Sequence, residues 1–308
     1  MSKETAAAAV YRKNYQPYPW KLDDVSLRFL IEEEGTRVKS CLCFSPAAGA
    51  DGASRISLDG GDLELLCVSV NGKTLTESEY DLRPDGLDLP APEGDCRVDI
   101  EVRIRPDDNT ALQGLYRSGD FLLTQCEAEG FRQITYFPDR PDVMTRFEVT
   151  IEADRSRYPV LLSNGNPVES GESEDGRHWV RWIDPFAKPS NLFALVAGDL
   201  ACVEDRFVTR SGREVMIRFF VEQENAGKCD HAVQSLKHAM KWDEERFGLE
   251  YDLDVYHVVA TNDFNMGAME NKSLNIFNSI YVLASPETAT DANYLGIESV
   301  IAHEYFHN

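Results

Sequence analysis

The folding options of this chain are limited above all by a regular alternation of apolar and polar residues. In the stretch CRVDIEVRIRP every second side chain is apolar and falls on one face of an extended strand, as at Val98, Ile100, Val102 and Ile104. Comparable stretches fill the first two-thirds of the sequence, separated by turn pairs such as Asn71-Gly72, which favour tight hairpins. Strands that alternate in this way are typical of antiparallel sheets with one buried face. The pattern predicts a mainly antiparallel β domain over residues 1–200.

From about Ala201 onward, helical patterns occur between the strands. The stretch DHAVQSLKHAMKWDEERFG offers Asp230 as a candidate N-cap and Gly248 as a stop signal. A second helix is expected to begin near Thr290 or Asp291 and to run to the end of the chain. Residues 201–308 are therefore predicted to form an α+β domain.

The second predicted helix contains the spacing H-E-x-x-H at His303, Glu304 and His307. Residues four apart lie on one helix face, so the two imidazoles can reach one zinc ion. Glu304 is rotated from His303 by about 100° and is better placed to contact a water at the metal than to bind the metal itself. This is the position of a general base in zinc peptidases. A solvated helix end that happens to carry two histidines is the alternative interpretation.

The other histidines do not indicate a third metal ligand, because each is isolated in the sequence: His178, His231, His238 and His257. A catalytic zinc ion usually has three protein ligands and one open position. The sequence up to this point therefore predicts two ligands of a larger set.

Charge and hydropathy bear on partners and location. The chain has 31 Lys and Arg against 53 Asp and Glu, a formal net charge of -22. This surplus disfavours nucleic acid and anionic membranes as partners. No apolar run approaches the roughly 18 residues of a membrane span, and the N-terminal stretch lacks the apolar core of a signal peptide. We therefore expect a cytoplasmic protein.

Seven scattered cysteines show no C-x-x-C pair: Cys41, Cys43, Cys67, Cys96, Cys126, Cys202 and Cys229. The two at 41 and 43 alternate with other residues and should share one strand face. We expect reduced thiols, most of them in the core, which fits a reducing compartment.

A second motif stands upstream of the histidines, where Gly267 to Asn271 read G-A-M-E-N. Together with H-E-x-x-H it resembles the M1 family of zinc aminopeptidases. The stretches LLTQCEAEGFRQITYFPDRPDVMTRF, LLSNGN, LFALVAGDL and MKWDEERFGLEYDLD are similar to bacterial members, and the resemblance covers residues 11–308. It implies a mainly β N-terminal domain followed by the beginning of a thermolysin-like α+β zinc peptidase domain, truncated after HEYFHN.

The resemblance also implies roles for individual residues. His303 and His307 would ligate one Zn²⁺ ion, and Glu304 would be the general base for attack by a metal-activated water. Substrate binding is assigned to Glu127, Gln125, Gly267, Ala268, Met269, Glu270 and Asn271. Gln125 would lie near the first side-chain pocket. By sequence alone, Glu129 is as good a candidate as Glu127.

The assigned residues suit recognition of a free amino terminus. Small residues at Gly267 and Ala268 let another backbone approach, and a strand edge there could pair with an extended peptide. Ala268 and Glu270 would share one strand face. An α-ammonium with a pKa near 8 is mostly cationic at neutral pH, and its binding relieves repulsion between clustered carboxylates. Peptides with a free N-terminus are the expected partners of a monomeric enzyme.

One position departs from the family pattern, since Ser273 stands where members commonly have Gly. We expect the change to be tolerated, with some effect on local strand geometry.

The resemblance implies further site residues beyond Asn308. The family's third zinc ligand is a Glu eighteen residues past the second histidine, here position 326, and a transition-state-stabilising Tyr lies further on. We therefore expect this chain to be a fragment that binds zinc weakly and has little or no activity. Two alternatives stay open: another zincin (an endopeptidase or a leukotriene hydrolase-like enzyme), or a non-catalytic peptide-binding β-rich module.

Overall fold

A computed structural model of the chain describes residues 11–48, 54–173 and 175–308. In these residues the backbone forms twenty strands and two α-helices. The strands, in chain order, are β1 (Trp20–Glu32), β2 (Gly35–Pro46), β3 (Arg55–Asp59), β4 (Glu64–Val70), β5 (Lys73–Thr74), β6 (Asp81–Arg83), β7 (Gly86–Pro90), β8 (Cys96–Ile104), β9 (Gly114–Ser118), β10 (Phe121–Gln125), β11 (Thr145–Asp154), β12 (Val160–Ser163), β13 (Asn166–Glu172), β14 (Arg177–Lys188), β15 (Leu195–Gly198), β16 (Ala201–Val208), β17 (Glu214–Val221), β18 (Val255–Thr261), β19 (Ala268–Met269) and β20 (Leu274–Asn278). The helices are α1 (Asp230–Arg246) and α2 (Asp291–His307).

An eight-stranded sheet with the order β13-β14-β11-β1-β2-β8-β4-β5 dominates the first two-thirds of the chain. The turn between β4 and β5 has positive φ at both Asn71 and Gly72, as a tight hairpin turn requires. The predicted strand with Val98 and Ile100 is β8, and its apolar face is buried. The mainly antiparallel prediction is confirmed, with one exception. β1 pairs in parallel with β11, which alternation cannot predict because it carries no information on strand direction.

Two smaller sheets complete this part of the fold, with the orders β12-β15-β10-β9 and β3-β7-β6. Their inner faces and that of the large sheet enclose one apolar core. Phe131 lies at its centre, with its ring 4.6 Å from Phe137 and 5.1 Å from Phe193 between centroids. These edge-on contacts fix the end of β10, which lies close to Phe131 in the chain.

The strands after residue 200 form a separate five-stranded sheet, β16-β17-β18-β20-β19. Its central strand β18 is buried on both faces. Val255 and Val259 pack into the core of the preceding sheets, whereas Tyr256 and Val258 pack toward α1 and α2. The five-stranded sheet is therefore held between the preceding strands β1–β15, called the β region from here on, and the two helices.

Both predicted helices are present. Asp230 is the first residue of α1 and not its cap, since Cys229 occupies that position and no side chain caps the helix. Gly248 follows α1 with φ of 73°, as a stop glycine does. Thr290 caps α2 through a reciprocal pair of hydrogen bonds with Asn293. Neither helix of the described residues has the length and apolar character to cross a bilayer.

No disulfide joins the seven cysteines, all of which lie in the described residues. Cys41 and Cys43 share the outer face of β2, as predicted, and are half-buried. The expectation that most of the thiols lie in the core is wrong, because Cys67 and Cys202 are exposed and only three thiols are buried.

Candidate active site

Helix α2 presents its two histidines on one open face. Ile297, Ile301 and Tyr305 bury the opposite face against the five-stranded sheet. His303 and His307 are both exposed, and their Nε2 atoms lie 3.2 Å apart. The sequence prediction that these imidazoles converge agrees with this geometry.

The donor set fits a zinc ion. Two imidazole nitrogens bound tetrahedrally at about 2.05 Å would lie about 3.3 Å from each other, close to the separation in this structure. The ligand atoms of His303, Glu304 and His307 all lie within 4.8 Å of one another. Across the described ranges, this is the one group of three such residues close enough to hold a metal.

Glu304 differs from its neighbours because it is buried, with 5% of its surface exposed. Burial raises the pKa of its carboxyl to about 7, and the nearby charges of Glu270 and Glu127 contribute to that rise. A carboxylate with a pKa near neutrality can both accept and return a proton at physiological pH. Burial thus gives Glu304 a pKa suited to proton transfer at neutral pH.

The G-A-M-E-N segment forms the edge of the five-stranded sheet. Strand β19 pairs with β20 alone among the described strands. The Asn278 amide donates to the Gly267 carbonyl at 2.9 Å, which makes Ala268 and Phe277 a non-hydrogen-bonded pair. The N–H and C=O of Ala268 therefore point away from β20, toward the edge. Ala268 itself is only 9% exposed.

Side chains of the segment alternate between two surroundings. Ala268 packs on the helix side of the sheet, and Glu270 follows it on that side with partial exposure. Met269 points the other way and is completely buried in the core shared with the β region. The assignment of Met269 to substrate contact is therefore not supported by its side chain. Asn271 is also buried, and its carbonyl accepts hydrogen bonds from the Leu274 amide and the Asn275 side chain.

The structure explains why glycine occupies position 267, which the sequence does not. A Cβ atom at this position would lie 3.2 Å from the ring of Tyr281, closer than most such contacts. The absence of a side chain thus lets Tyr281 pack on the segment.

The β region contributes Glu127 and Gln125 from the end of β10. Burial raises the pKa of Glu127, Glu270 raises it further, and His307 has the opposite effect. Glu127 is therefore influenced electrostatically by one residue of the G-A-M-E-N segment and one residue of α2. Glu129, in contrast, is exposed and pairs with Arg132 at 3.4 Å. The structure therefore favours Glu127 over Glu129.

Gln125 is buried, and its Oε1 has no hydrogen-bond partner. Its Nε2 donates to the Glu127 carbonyl at 3.4 Å and lies 3.9 Å from Sδ of Met266. Met266 was not predicted from the sequence. Its side chain is 48% exposed beside the segment, and a large apolar residue next to Gly267 was the available signal.

Ser273 and Asn308 connect the G-A-M-E-N segment to helix α2. The Ser273 amide donates to Oδ1 of Asn308 at 2.8 Å, and the Asn308 side chain donates to the Glu304 carbonyl at 3.0 Å. Ser273 has φ of 62°, a conformation that favours glycine. Its hydroxyl makes a contact that glycine could not make, because it accepts a hydrogen bond from the Gly165 amide at 2.7 Å. The departure from the family glycine is thus tolerated through a contact with the β region.

Comparisons with known proteins agree with this geometry. The model of the peptidase M1 N-terminal domain matches residues 44–192, and that of the peptidase family M1 domain matches residues 231–308. Aminopeptidase N of Haemophilus influenzae is 52% identical over 98% of this chain, and that of Escherichia coli is 53% identical over 97%. The crystal structure of Legionella pneumophila aminopeptidase A in complex with aspartic acid superposes with a TM-score of 0.92. It is 37% identical and covers 96% of this chain.

The chain belongs to peptidase family M1. Its fold combines the mostly β N-terminal domain of that family with a match to the family's peptidase domain, as predicted. The chain spans about a third of the length of the relatives it matches, 35% for the Haemophilus influenzae protein and 35% for the Legionella pneumophila chain.

Proposed function

We propose that this chain carries the amino-terminus-binding and metal-binding parts of a zinc-dependent aminopeptidase. The observation that supports this most is the proximity of three carboxylates to two converging imidazoles. Burial, and after it the charges of Glu270 and Glu127, raise the pKa of Glu304, which follows His303 on α2, to about 7. One site could therefore bind a cationic group and carry out a metal-activated reaction.

His303 and His307 are proposed to hold the zinc ion. When bound, zinc would supply a Lewis acid that polarises the scissile carbonyl and makes a water molecule more acidic. Glu304 accepts the proton of the attacking water and then delivers it to the leaving amine. The pKa of about 7 for its carboxyl supports both transfers.

Glu127 and Glu270 are proposed to bind the substrate α-ammonium. Burial and the charge of Glu270 both disfavour the ionised form of Glu127, and an ammonium would relieve the repulsion between the carboxylates whereas a neutral amide could not. The outward N–H and C=O of Ala268 would pair with the extended peptide backbone. Together these contacts fix which peptide bond meets Glu304, and they favour an exopeptidase over an endopeptidase.

The remaining proposals concern surroundings and partners. We propose a cytoplasmic monomer that acts on peptides with a free N-terminus and binds neither nucleic acid nor membrane. Seven unpaired cysteines, all within the described residues, support a reducing compartment. The net charge of -22 disfavours polyanionic partners.

The anchor role is tested by Glu270→Gln, with binding of tetra-alanine measured by calorimetry in the absence of metal so that no turnover occurs. We expect affinity for the free-amine peptide to fall by about 10- to 100-fold, since a charge-assisted contact is lost. Affinity for the N-acetylated peptide should stay the same. Glu129→Gln, which removes an exposed acid near the site, is the control and should change neither. Equal losses for both peptides would refute the anchor role.

A further inference from the structure

We propose that the β region acts as a clamp on the substrate-anchoring segment, defined as residues 263–273. In this proposal Tyr116, Ser118 and Asn164 are positioning residues that set where Glu270 stands relative to Glu127. The proposal rests on the proposed function, because its consequence is recognition of the ammonium. The contacts themselves do not depend on that function.

The upstream end of the anchoring segment is held by strand β9. The Tyr116 hydroxyl donates to the Asp263 carbonyl at 2.8 Å, and the Ser118 hydroxyl donates to the Asp263 carboxylate at 2.7 Å. The Ser118 hydroxyl also lies 2.8 Å from that of Thr261. Tyr116 and Ser118 are both buried, whereas Asp263 is exposed, so these bonds lie at the boundary between the core and the solvent.

The downstream end is held by the turn that follows β12. The Asn164 side chain donates to the Lys272 carbonyl at 2.8 Å, and the Gly165 amide donates to the Ser273 hydroxyl at 2.7 Å. Asn164 is itself fixed, because its Oδ1 accepts from the Ala194 amide at 2.7 Å. The segment is therefore attached to the β region at both ends.

Between these ends the anchoring segment has little support from its own sheet. Strand β19 is two residues long and pairs on one side only, with β20. A ladder this short contributes little stability by itself. The contacts at the two ends therefore add to the burial of Met269 in fixing the position of Glu270.

One structural element joins both carboxylates. Strands β9 and β10 pair as a hairpin, with Phe121 opposite Ser118 and Gln125 opposite Gly114. The hairpin holds Asp263 through β9 and leads into Glu127 through β10. A shift of the hairpin would therefore move Glu127 and the anchoring segment together. This coupling preserves the spacing that binding of one ammonium by two carboxylates requires.

Two single-hydroxyl deletions test the clamp in the 308-residue chain. Tyr116→Phe removes one of the two upstream contacts, and Ser273→Ala removes one of the two downstream contacts. We expect amide hydrogen exchange in peptides covering residues 263–273 to accelerate about fivefold in each variant, the effect of one lost hydrogen bond. In metal-free calorimetry, affinity for free-amine tetra-alanine should fall about fivefold while that for N-acetylated tetra-alanine does not change.

Tyr18→Phe is the matched control. Its hydroxyl also donates to a backbone carbonyl at 2.8 Å, but the acceptor is Ser57 of β3 and not a residue of the anchoring segment. The control should leave both the exchange of residues 263–273 and the ratio of peptide affinities unchanged. Unchanged exchange in both test variants would overturn the clamp. Faster exchange with an unchanged affinity ratio would overturn its positioning role. A wild-type chain with no preference for the free amine would refute the proposed function, while exchange would still decide whether the clamp exists.

Discussion

The proposed metal-binding half and the proposed ammonium-binding half of the candidate site are built in opposite ways. His303 and His307 lie one turn apart on α2, and the capped helix brings their Nε2 atoms to 3.2 Å without help from another element. Glu127 and Glu270 come from two different sheets and meet only because the β region packs on the five-stranded sheet.

Local helix geometry fixes the positions of the two histidines, whereas packing between sheets fixes the positions of the two carboxylates. Helix periodicity keeps two imidazoles together whenever α2 is formed. The carboxylates keep their spacing only while the interface and its hydrogen bonds are intact. Substitutions at the interface between the sheets should therefore weaken recognition of the peptide before they weaken metal binding.

The largest effect is expected on zinc affinity, when one of the two histidines of α2 is replaced. His303→Ala or His307→Ala should weaken zinc binding by roughly 100-fold or more, because losing a direct ligand costs more than losing a residue that only orients one. Titration calorimetry with zinc would measure this. His238→Ala removes an exposed histidine of α1 and should leave zinc affinity unchanged. Equal affinity in all four proteins would show that zinc does not bind here.

Acid should destabilise the interface between the β region and the five-stranded sheet. His257 is buried between Trp182 of the β region and Phe220, with ring centroids 5.7 and 5.4 Å away. Burial lowers the pKa of His257 to about 3, so the folded chain binds fewer protons than the unfolded chain between about pH 3 and 6.5. The stability that this residue provides is complete above pH 6.5 and declines as the pH falls. From pH 7 to 5 the free energy of unfolding should drop by about 2 kcal/mol from His257 alone.

Urea unfolding at pH 7 and pH 5 checks this expectation. His257→Phe should lose about 2 kcal/mol less than the wild type over this range, since the titrating group is gone. His238→Ala should behave like the wild type. The same decline in His257→Phe and wild type would contradict the assignment.

The smallest expected effect isolates the backbone at Ser273. Ser273→Ala loses the hydroxyl contact and keeps the strained φ of 62°, whereas Ser273→Gly loses the contact but relieves the strain. The free energy of unfolding should therefore be about 1 kcal/mol lower for the alanine variant than for the glycine variant. Identical unfolding curves for the two variants would show that this backbone conformation carries no cost.

The comparison also explains what could be predicted from the sequence. The spacing of His303 and His307 and the cap at Thr290 are local patterns, and each predicts its structure directly. Glu127 could be preferred over Glu129 only through family resemblance, because its meeting with Glu270 depends on long-range packing. Met269 was assigned to the substrate with its neighbours, yet strand alternation turns its side chain into the core. Tyr116, Ser118 and Asn164 carry no sequence signal for their role, because each acts through a partner distant in the chain.

The parallel pairing of β1 with β11 has a consequence for how the chain is made. Asp24 of β1 lies opposite Arg146 of β11, so more than a hundred residues must be synthesised before this pair of the large sheet can form. Until then one edge of the β1–β2 hairpin has unpaired backbone groups that can engage another chain. Contacts so distant in sequence make folding slow, and we expect a nascent chain stopped before Thr145 to be prone to aggregation on the ribosome.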